Sequence, residues 1–209
     1  MSDAPYPDRI RALLRVAWLA VLLGFAVQLL VFAVRYCAGM EMAVAVMLSD
    51  CTQGVAWGVI VCVGVAIGVT AERSRALLGG VLGAISGPIG WAVAKSAQRI
   101  VQSLTGAPVD GFTPFFFLLV AVKGVEYLVL GWIVGRLSDR DDTSMRDYAL
   151  PGLLIGVVTC AVVVALTLWH GPMPLPKLLG LAASELTFPI GCALVIYAPV
   201  HMRRFAGLA

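Results

Sequence analysis

Charged residues are scarce in this chain of 209 residues. They make up 13% of it, whereas 60% of the residues are hydrophobic and the mean hydropathy is +0.94. Soluble domains carry about 25% charged residues. The apolar runs leave no room for a separate polar domain, so a soluble enzyme, a nucleic-acid-binding module and a single-pass receptor are excluded. The composition predicts an all-α polytopic membrane protein, with one membrane domain over residues 1–209 surrounded by the lipid bilayer.

Motifs for catalysis, metal binding and disulfide formation are also missing. The five cysteines form no CxxC pair, and the two histidines, His170 and His201, lie apart at the ends of apolar runs. Ser86 does not form a nucleophile elbow, because Ala84 occupies a position where that motif has glycine. We therefore expect no enzymatic activity, no metal and no cofactor.

The chain has a series of long apolar runs instead. Each is close to the roughly 20 residues that an α-helix needs to cross the hydrocarbon core of a bilayer. The first run is too long for a signal-peptide core and lacks a small-residue cleavage site, so we expect it to be a retained helix. The sequence predicts six transmembrane helices. Their expected bounds are 13 to 34, 50 to 70, 76 to 97, 113 to 135, 150 to 169 and 178 to 200.

Lysine and arginine are unevenly distributed between the two ends of these helices. With the N-terminus inside, ten of the 15 basic residues fall in cytoplasmic segments, four fall on the opposite side, and Lys123 lies within a helix. Cytoplasmic loops of membrane proteins carry an excess of basic residues. The distribution therefore predicts a cell (inner) membrane protein with both termini in the cytoplasm.

The two halves of the chain match each other. LLGGVLGAISGPIGWAV from 77 to 93 aligns without a gap with LLGLAASELTFPIGCAL from 178 to 194, and GVAWGVIVC aligns with GLLIGVVTC earlier in each half. Because each half holds three helices, the second copy would enter the membrane in the opposite direction. We expect two inverted three-helix repeats, at about 10–105 and about 110–204. Shared apolar composition is the alternative explanation.

Pro88 and Pro189 occupy equivalent positions in the matched segments. Each removes a backbone hydrogen bond and clashes with the carbonyl four residues earlier, so a kink or a local opening is expected at both. Ser86 and Thr187 lie two residues before the prolines. Their hydroxyls would bond a freed carbonyl or point into a cavity.

Small residues recur at helical spacing in the first half. Gly79, Gly83 and Gly87 form one stripe, and Gly54 and Gly58 begin a second. Without a hydrophobic drive in lipid, such faces let helix backbones approach closely. Close packing is the predicted role of both stripes.

Three charged residues interrupt the predicted fourth and sixth helices: Lys123, Glu126 and Glu185. A charge at the bilayer centre costs about 2.5–3.5 kcal/mol, so each should face the bundle and have a partner. Lys123 and Glu126 are three residues apart and are expected to pair. Glu185 stands where the first repeat has Ala84, and we expect it to bind Lys123, a hydroxyl or a transported ion. The alternative is a buried cluster that only fixes the helix register.

Asp50 allows two interpretations. With Gln53 three residues later and an apolar run following, it has the spacing of a capping box and predicts the N-cap of the second helix. If that helix begins near Met42 instead, Asp50 lies inside it and joins the polar cluster.

The matched halves, the paired prolines and the intramembrane charges predict a small transporter or channel for an ion or a small solute. Its pathway would run between the two repeats, within one chain or in a homodimer. Glu185, Lys123, Glu126, Ser86, Thr187 and Asp50 are the candidate pathway residues. The alternative is a non-enzymatic subunit or assembly factor, which would bind a partner in a larger membrane complex through its glycine faces.

Overall fold

The computed structural model describes residues 6 to 70, 74 to 107, 109, 111, 113 to 140 and 142 to 205, and these residues form long α-helices. Each helix contains a stretch long and apolar enough to cross a membrane. The prediction of an all-helical chain with six long apolar helices is confirmed, and such a chain is compatible with an integral membrane protein. The helices are α1 (Tyr6–Cys37), α2 (Val44–Val69), α3 (Arg75–Thr105), α4 (Pro114–Ser138), α5 (Met145–His170) and α6 (Leu175–Phe205).

The helices are longer than the predicted spans. The expected bounds differ most at three ends: α1 begins at Tyr6 rather than at residue 13, α2 begins at Val44 rather than at residue 50, and α3 continues to Thr105 rather than ending at 97. Hydropathy detects only the apolar centre of a helix, whereas backbone hydrogen bonding continues through polar turns. The additional turns bring Gln98 and Arg99 onto α3 and place Asp50 inside α2 rather than at its first residue.

Consecutive helices contact each other, and α6 closes the ring by packing against α1. The second helix also contacts α4 and α6, whereas the contacts of α5 among the described residues are with α4 and α6. Half of the most apolar window of α2 is buried, against 22% for α5. The bundle is therefore built around α2, with α5 at its periphery.

The glycine stripe of α3 packs against α4. A Cβ atom added to Gly83 would overlap the carbonyl oxygen of Tyr127 on α4. One added to Gly79 would overlap a backbone carbonyl of α4 closer to the C-terminal end of that helix. A Cβ at Gly87 would lie 2.7 Å from the carbonyl oxygen of Lys123. Only glycine allows this approach, so the stripe holds the backbone of Lys123 against α3.

The hydrophobic core lies between Lys123 and the C-terminal end of α4. Tyr127, Leu130 and Val134 follow Lys123 on α4 and are fully buried against α2 and α6. Their neighbours in the core include Val61, Cys62 and Val65 of α2 and Phe188, Cys192 and Ile196 of α6. This side of the bundle is closed by close-packed side chains.

Pro88 and Pro189 lie inside α3 and α6, and both helices continue through them. The kink or local opening expected at each proline stays a prediction. Pro88 lies beside Gly124 of α4, whose added Cβ would be 3.2 Å from the proline ring. The lack of a side chain at Gly124 makes room for the ring.

Glycines that match between the two halves contact helices that are not equivalent. Gly54 of α2 packs against Gln28 of α1, and an exact inverted repeat would place its counterpart Gly152 of α5 against α4. Gly152 instead packs against Ile190 of α6. The inverted arrangement therefore remains a prediction based on the sequence match.

Candidate functional site

One ammonium group holds two carboxylates at the centre of the site. Nζ of Lys123 donates to Oε2 of Glu126 at 2.8 Å and to Oε2 of Glu185 at 2.5 Å. The three side chains are at most 5% exposed. Lys123 and Glu126 share one face of α4, and Glu185 comes from α6, so the two contacts tie these helices together. With every group ionised, the cluster of Lys123, Glu126 and Glu185 carries one net negative charge.

Glycines on neighbouring helices bring the cluster together. Gly87 of α3 lies against the carbonyl of Lys123, as described above. Gly156 of α5 lies against α6, and its added Cβ would be 2.9 Å from the carbonyl oxygen of Leu186 and 3.2 Å from that of Glu185. A larger side chain at Gly87 would push α3 away from α4, and one at Gly156 would push α5 away from α6.

Trp57, the centre of a cluster of aromatic rings, lies beside the ammonium group of Lys123. The ring of Trp57 lies 5.5 Å from that of Trp91, 5.3 Å from that of Tyr127 and 5.9 Å from that of Phe188, measured between centroids. Nζ of Lys123 is 5.6 Å from the Trp57 centroid. This distance is within the range of a cation–π interaction, which adds to the stabilisation of the buried charge.

A cavity of about 360 Å³ leads from the end of the bundle to this cluster. Exposed Gly111 and Thr113 line its outer part, and Lys123 and Glu185 line its inner end. The ten residues from Thr113 to Lys123 correspond to a depth of about 15 Å along α4. Beyond Lys123 the core described above fills the bundle. The cavity is therefore open at one end and has a charged floor.

A polar stripe of α3 forms one wall of the cavity. Trp91, Lys95, Gln98 and Gln102 are spaced by four, three and four residues and share a helix face, and Arg99 lies beside them. This wall is not predicted from the sequence, because the predicted helix ends at residue 97, before Gln98, Arg99 and Gln102. The polar residues that continue at helical spacing after the apolar run are the sequence pattern that indicates such a wall.

The structure places Asp50 in a second polar network. Its carboxylate accepts from Nη1 of Arg35 at 2.9 Å and from the amide of Gln98 at 2.6 Å. Nζ of Lys95 donates to Gln98 at 2.9 Å and to Gln53 at 3.3 Å. Asp50 is thus connected to the cavity wall through Gln98, and not directly to Lys123.

The capping interpretation of Asp50 is wrong. The N-cap residue of α2 is Ala43, and Asp50 lies in the second turn of the helix. A buried carboxylate is tolerated inside a helix when an opposite charge and a hydrogen-bond donor balance it, and Arg35 and Gln98 supply both. The alternative start near Met42 was closer to the structure.

Ser86 and Thr187 lie away from the lining of the cavity among the described residues. Thr187 donates to the carbonyl of Ala183 at 2.7 Å, and Ser86 makes a longer contact of 3.4 Å with the carbonyl of Gly83. Both acceptors lie one turn earlier in the same helix, and neither is the carbonyl four residues before the proline. The two hydroxyls therefore satisfy helix backbone groups rather than facing the cavity.

Comparisons of the chain with protein-family models, curated proteins and solved structures found no match. Within the described residues, no group of three or more His, Cys, Asp or Glu side chains is arranged to hold a metal ion.

Proposed function

We propose that this protein is a small integral membrane transporter that moves an ion or a small solute. The observation that supports the proposal is the one-ended cavity, with the cluster of Lys123, Glu126 and Glu185 as its floor. Secondary transporters bind their substrates near the middle of the membrane and open to one side at a time. A cavity that stops at a charged cluster, with a packed core behind it, corresponds to one such state.

The contact between Lys123 and Glu185 is the proposed gate. It joins α4 to α6 across the floor of the cavity, so these helices can separate only when the contact is broken. The cluster has one more carboxylate than cations, and a proton or a cation that neutralises Glu185 would weaken its hold on Lys123. Ionisable residues inside membrane helices commonly serve such pathways.

The location and symmetry of the protein are part of the proposal. We place the six helices across a cell (inner) membrane with both termini in the cytoplasm, which is supported by the distribution of basic residues. In that orientation the cavity opens away from the cytoplasm. We also keep the inverted repeats, supported by the gapless match, and a pathway formed within one chain or in a homodimer.

Reconstitution into liposomes tests this function. The expected result is dissipation of an imposed pH gradient or uptake of a radiolabelled ion by the wild type, with at least a tenfold lower rate for Glu185→Gln, which keeps the shape of the side chain but removes its charge. Glu41→Gln is the matched control, because Glu41 is exposed in the segment between α1 and α2. Both variants should elute as folded protein.

Two outcomes would overturn the proposal. Equal flux in the wild type and in folded Glu185→Gln would show that the pathway does not depend on this carboxylate. Absence of flux for every ion and solute tested would favour the alternative, a non-enzymatic subunit or assembly factor of a membrane complex, and capture of a membrane partner would then be the next experiment.

A further inference from the structure

The first four helices meet each other backbone against backbone. Where α1 meets α2, a Cβ atom added to Gly24 would lie 2.7 Å from the carbonyl oxygen of Gly54. Where α2 meets α3, a Cβ added to Gly68 would lie 2.5 Å from the carbonyl oxygen of Leu78. The glycine stripe of α3 makes the same kind of contact with α4. Because a backbone cannot move aside as a side-chain end can, these helices form one closely packed body, the α1–α4 unit.

The last two helices are joined in the same way. A Cβ added to Gly152 of α5 would lie 2.8 Å from the Cα atom of Ile190 of α6. One turn further along α5, Gly156 meets the carbonyl oxygens of Leu186 and Glu185, as described above. The α5–α6 hairpin is therefore a second closely packed body, and it carries Glu185.

The contacts between the two bodies are of another kind. Gly180 and Gly191 of α6 face α1, but a Cβ added to them would meet the side chains of Arg35 and Leu23, respectively. Within the described part of the chain, no glycine of one body has a backbone atom of the other among the three nearest neighbours of an added Cβ. Flexible side chains rearrange when packed helices slide, so this boundary allows movement that the glycine contacts within each body do not.

Two open spaces lie along the boundary. A groove of about 530 Å³ separates the middle of α4 from that of α5, with Val125 and Val129 on one side and Leu154 and Val158 on the other. The cavity described above also lies there, since the helical part of its lining comes from α3 and α4 on one side and from α5 and α6 on the other. The boundary is therefore loosely packed along these stretches, whereas the core beyond Lys123 packs across it.

Side-chain contacts hold the hairpin to α4 near both ends of α4 and in its middle. They are the hydrogen bond of 3.0 Å between the hydroxyls of Ser138 and Tyr148, the ion pair of Lys123 and Glu185, and the stacked rings of Phe115 and His170, whose centroids are 4.4 Å apart. Each of these contacts can break without a change in the backbone of either body.

We propose that the α5–α6 hairpin moves as one rigid body against the α1–α4 unit, and that the cavity opens and closes along the boundary between them. Rocking of one bundle of helices against another is the usual movement of secondary transporters. The inference deepens the proposed function, on which the role of the movement rests, because separation of α4 from α6 would carry α5 along. The boundary differs from that between the two matched halves, since α4 belongs with the first three helices.

Distances between spin labels test the movement without measuring transport. In a cysteine-free background, labels at Ile100 and Leu168 report across the boundary, and labels at Leu48 and Ile100 report within the α1–α4 unit; all three positions are exposed. Double electron–electron resonance should give an Ile100–Leu168 distribution about twofold broader than the Leu48–Ile100 distribution. In Glu185→Gln, which weakens the hold of the hairpin on Lys123, the Ile100–Leu168 distance should shift by about 5 Å, roughly one helical turn, while the Leu48–Ile100 distance stays the same. Equal widths with no shift, or equal shifts for both pairs, would overturn the proposal.

Cross-linking tests the role of the movement in flux. The pair Phe115→Cys and His170→Cys spans the boundary where the two rings stack, and a short bifunctional thiol reagent should lower the flux at least tenfold until a reductant releases it. The matched control joins Ala182→Cys to native Cys160 within the hairpin, where Sγ of Cys160 lies 3.8 Å from the carbonyl oxygen of Ala182. Cross-linking of the control pair should leave the flux unchanged. Full flux with the boundary cross-linked would overturn the proposal.

The failure of this inference is distinguishable from failure of the transport function. Flux that depends on Glu185, with no change in the Ile100–Leu168 distance, would retain the transporter and reject the moving hairpin. A shift confined to the Ile100–Leu168 pair, without flux of any ion or solute, would retain the moving hairpin and reject transport.

Discussion

Lys123 on α4 donates to Glu185 on α6 at 2.5 Å, although the two residues are 62 positions apart in the chain. The same ammonium group also donates to Glu126 at 2.8 Å. One cation therefore compensates two buried carboxylates from two helices. The charge balance of the cluster depends more on Lys123 than on either acid alone, because loss of Lys123 would leave both carboxylates without a compensating cation.

Replacement of Lys123 by methionine should destabilise the protein strongly. Removing one partner of a buried ion pair costs about 3–5 kcal/mol, because the remaining charge stays buried without compensation. Thermal unfolding in detergent, followed by circular dichroism, measures the effect. The triple variant Lys123→Met, Glu126→Gln, Glu185→Gln should recover most of the loss. If the single variant is as stable as the wild type, the cluster does not hold α4 and α6 together.

The contact between α3 and α4 should not tolerate a methyl group at Gly83. A Cβ there meets the backbone carbonyl of Tyr127, which cannot move aside as a flexible side chain would. Overpacking of this kind costs about 1–3 kcal/mol. Gly171→Ala is the matched control, because a Cβ at Gly171 meets nothing within 4 Å. Unfolding midpoints should fall for Gly83→Ala only, and equal midpoints would contradict the close approach.

The number and order of the helices could be predicted from the sequence because long apolar runs have few alternatives to helices. The end of α3 could not be predicted in this way. Gln98, Arg99 and Gln102 lower the local hydropathy beyond residue 97, where the predicted helix ends, whereas in the structure they line a cavity within the bundle. A helix that lines a polar cavity does not need an apolar surface on that side.

Within the site, only contacts between buried charged residues could be predicted from the sequence, because a buried charge needs an opposite charge nearby. Lys123 and Glu126 were expected to pair because they are one turn apart, but Glu185 retained several possible partners because helix packing determines long-range contacts. The local spacing of Asp50 suggested a cap, and nothing near it indicated Arg35, which lies 15 positions earlier. Nothing in the sequence indicated that Trp57 belongs to the site, since an aromatic residue in an apolar run fits any buried position.

Removal of the charge of Asp50 should destabilise the protein more than the same change at an exposed ion pair. Asp50 accepts from Arg35 and from Gln98, and hydrogen bonds of charged groups contribute about 1.5–3 kcal/mol. Asp139 pairs with Arg75 at 3.7 Å with both side chains partly exposed, where such pairs contribute about 0–1 kcal/mol. Thermal unfolding of Asp50→Asn and Asp139→Asn makes the comparison. Equal losses would mean that the Asp50 network does not stabilise the contact of α1, α2 and α3.

The proposed orientation predicts which cysteine reacts from outside the cell. Cys37 is exposed at the end of α1, so a cytoplasmic N-terminus would place it on the outer face. A protein that retains only Cys37, with the other four cysteines replaced by alanine, should react with a membrane-impermeant maleimide in intact cells. The matched control is Asp142→Cys in a cysteine-free background, because exposed Asp142 lies between α4 and α5 and would face the cytoplasm. It should react only after the membrane is permeabilised. The reverse pattern would invert the orientation and turn the open end of the cavity toward the cytoplasm. Reaction of both variants in intact cells would contradict the three membrane crossings proposed between the two positions.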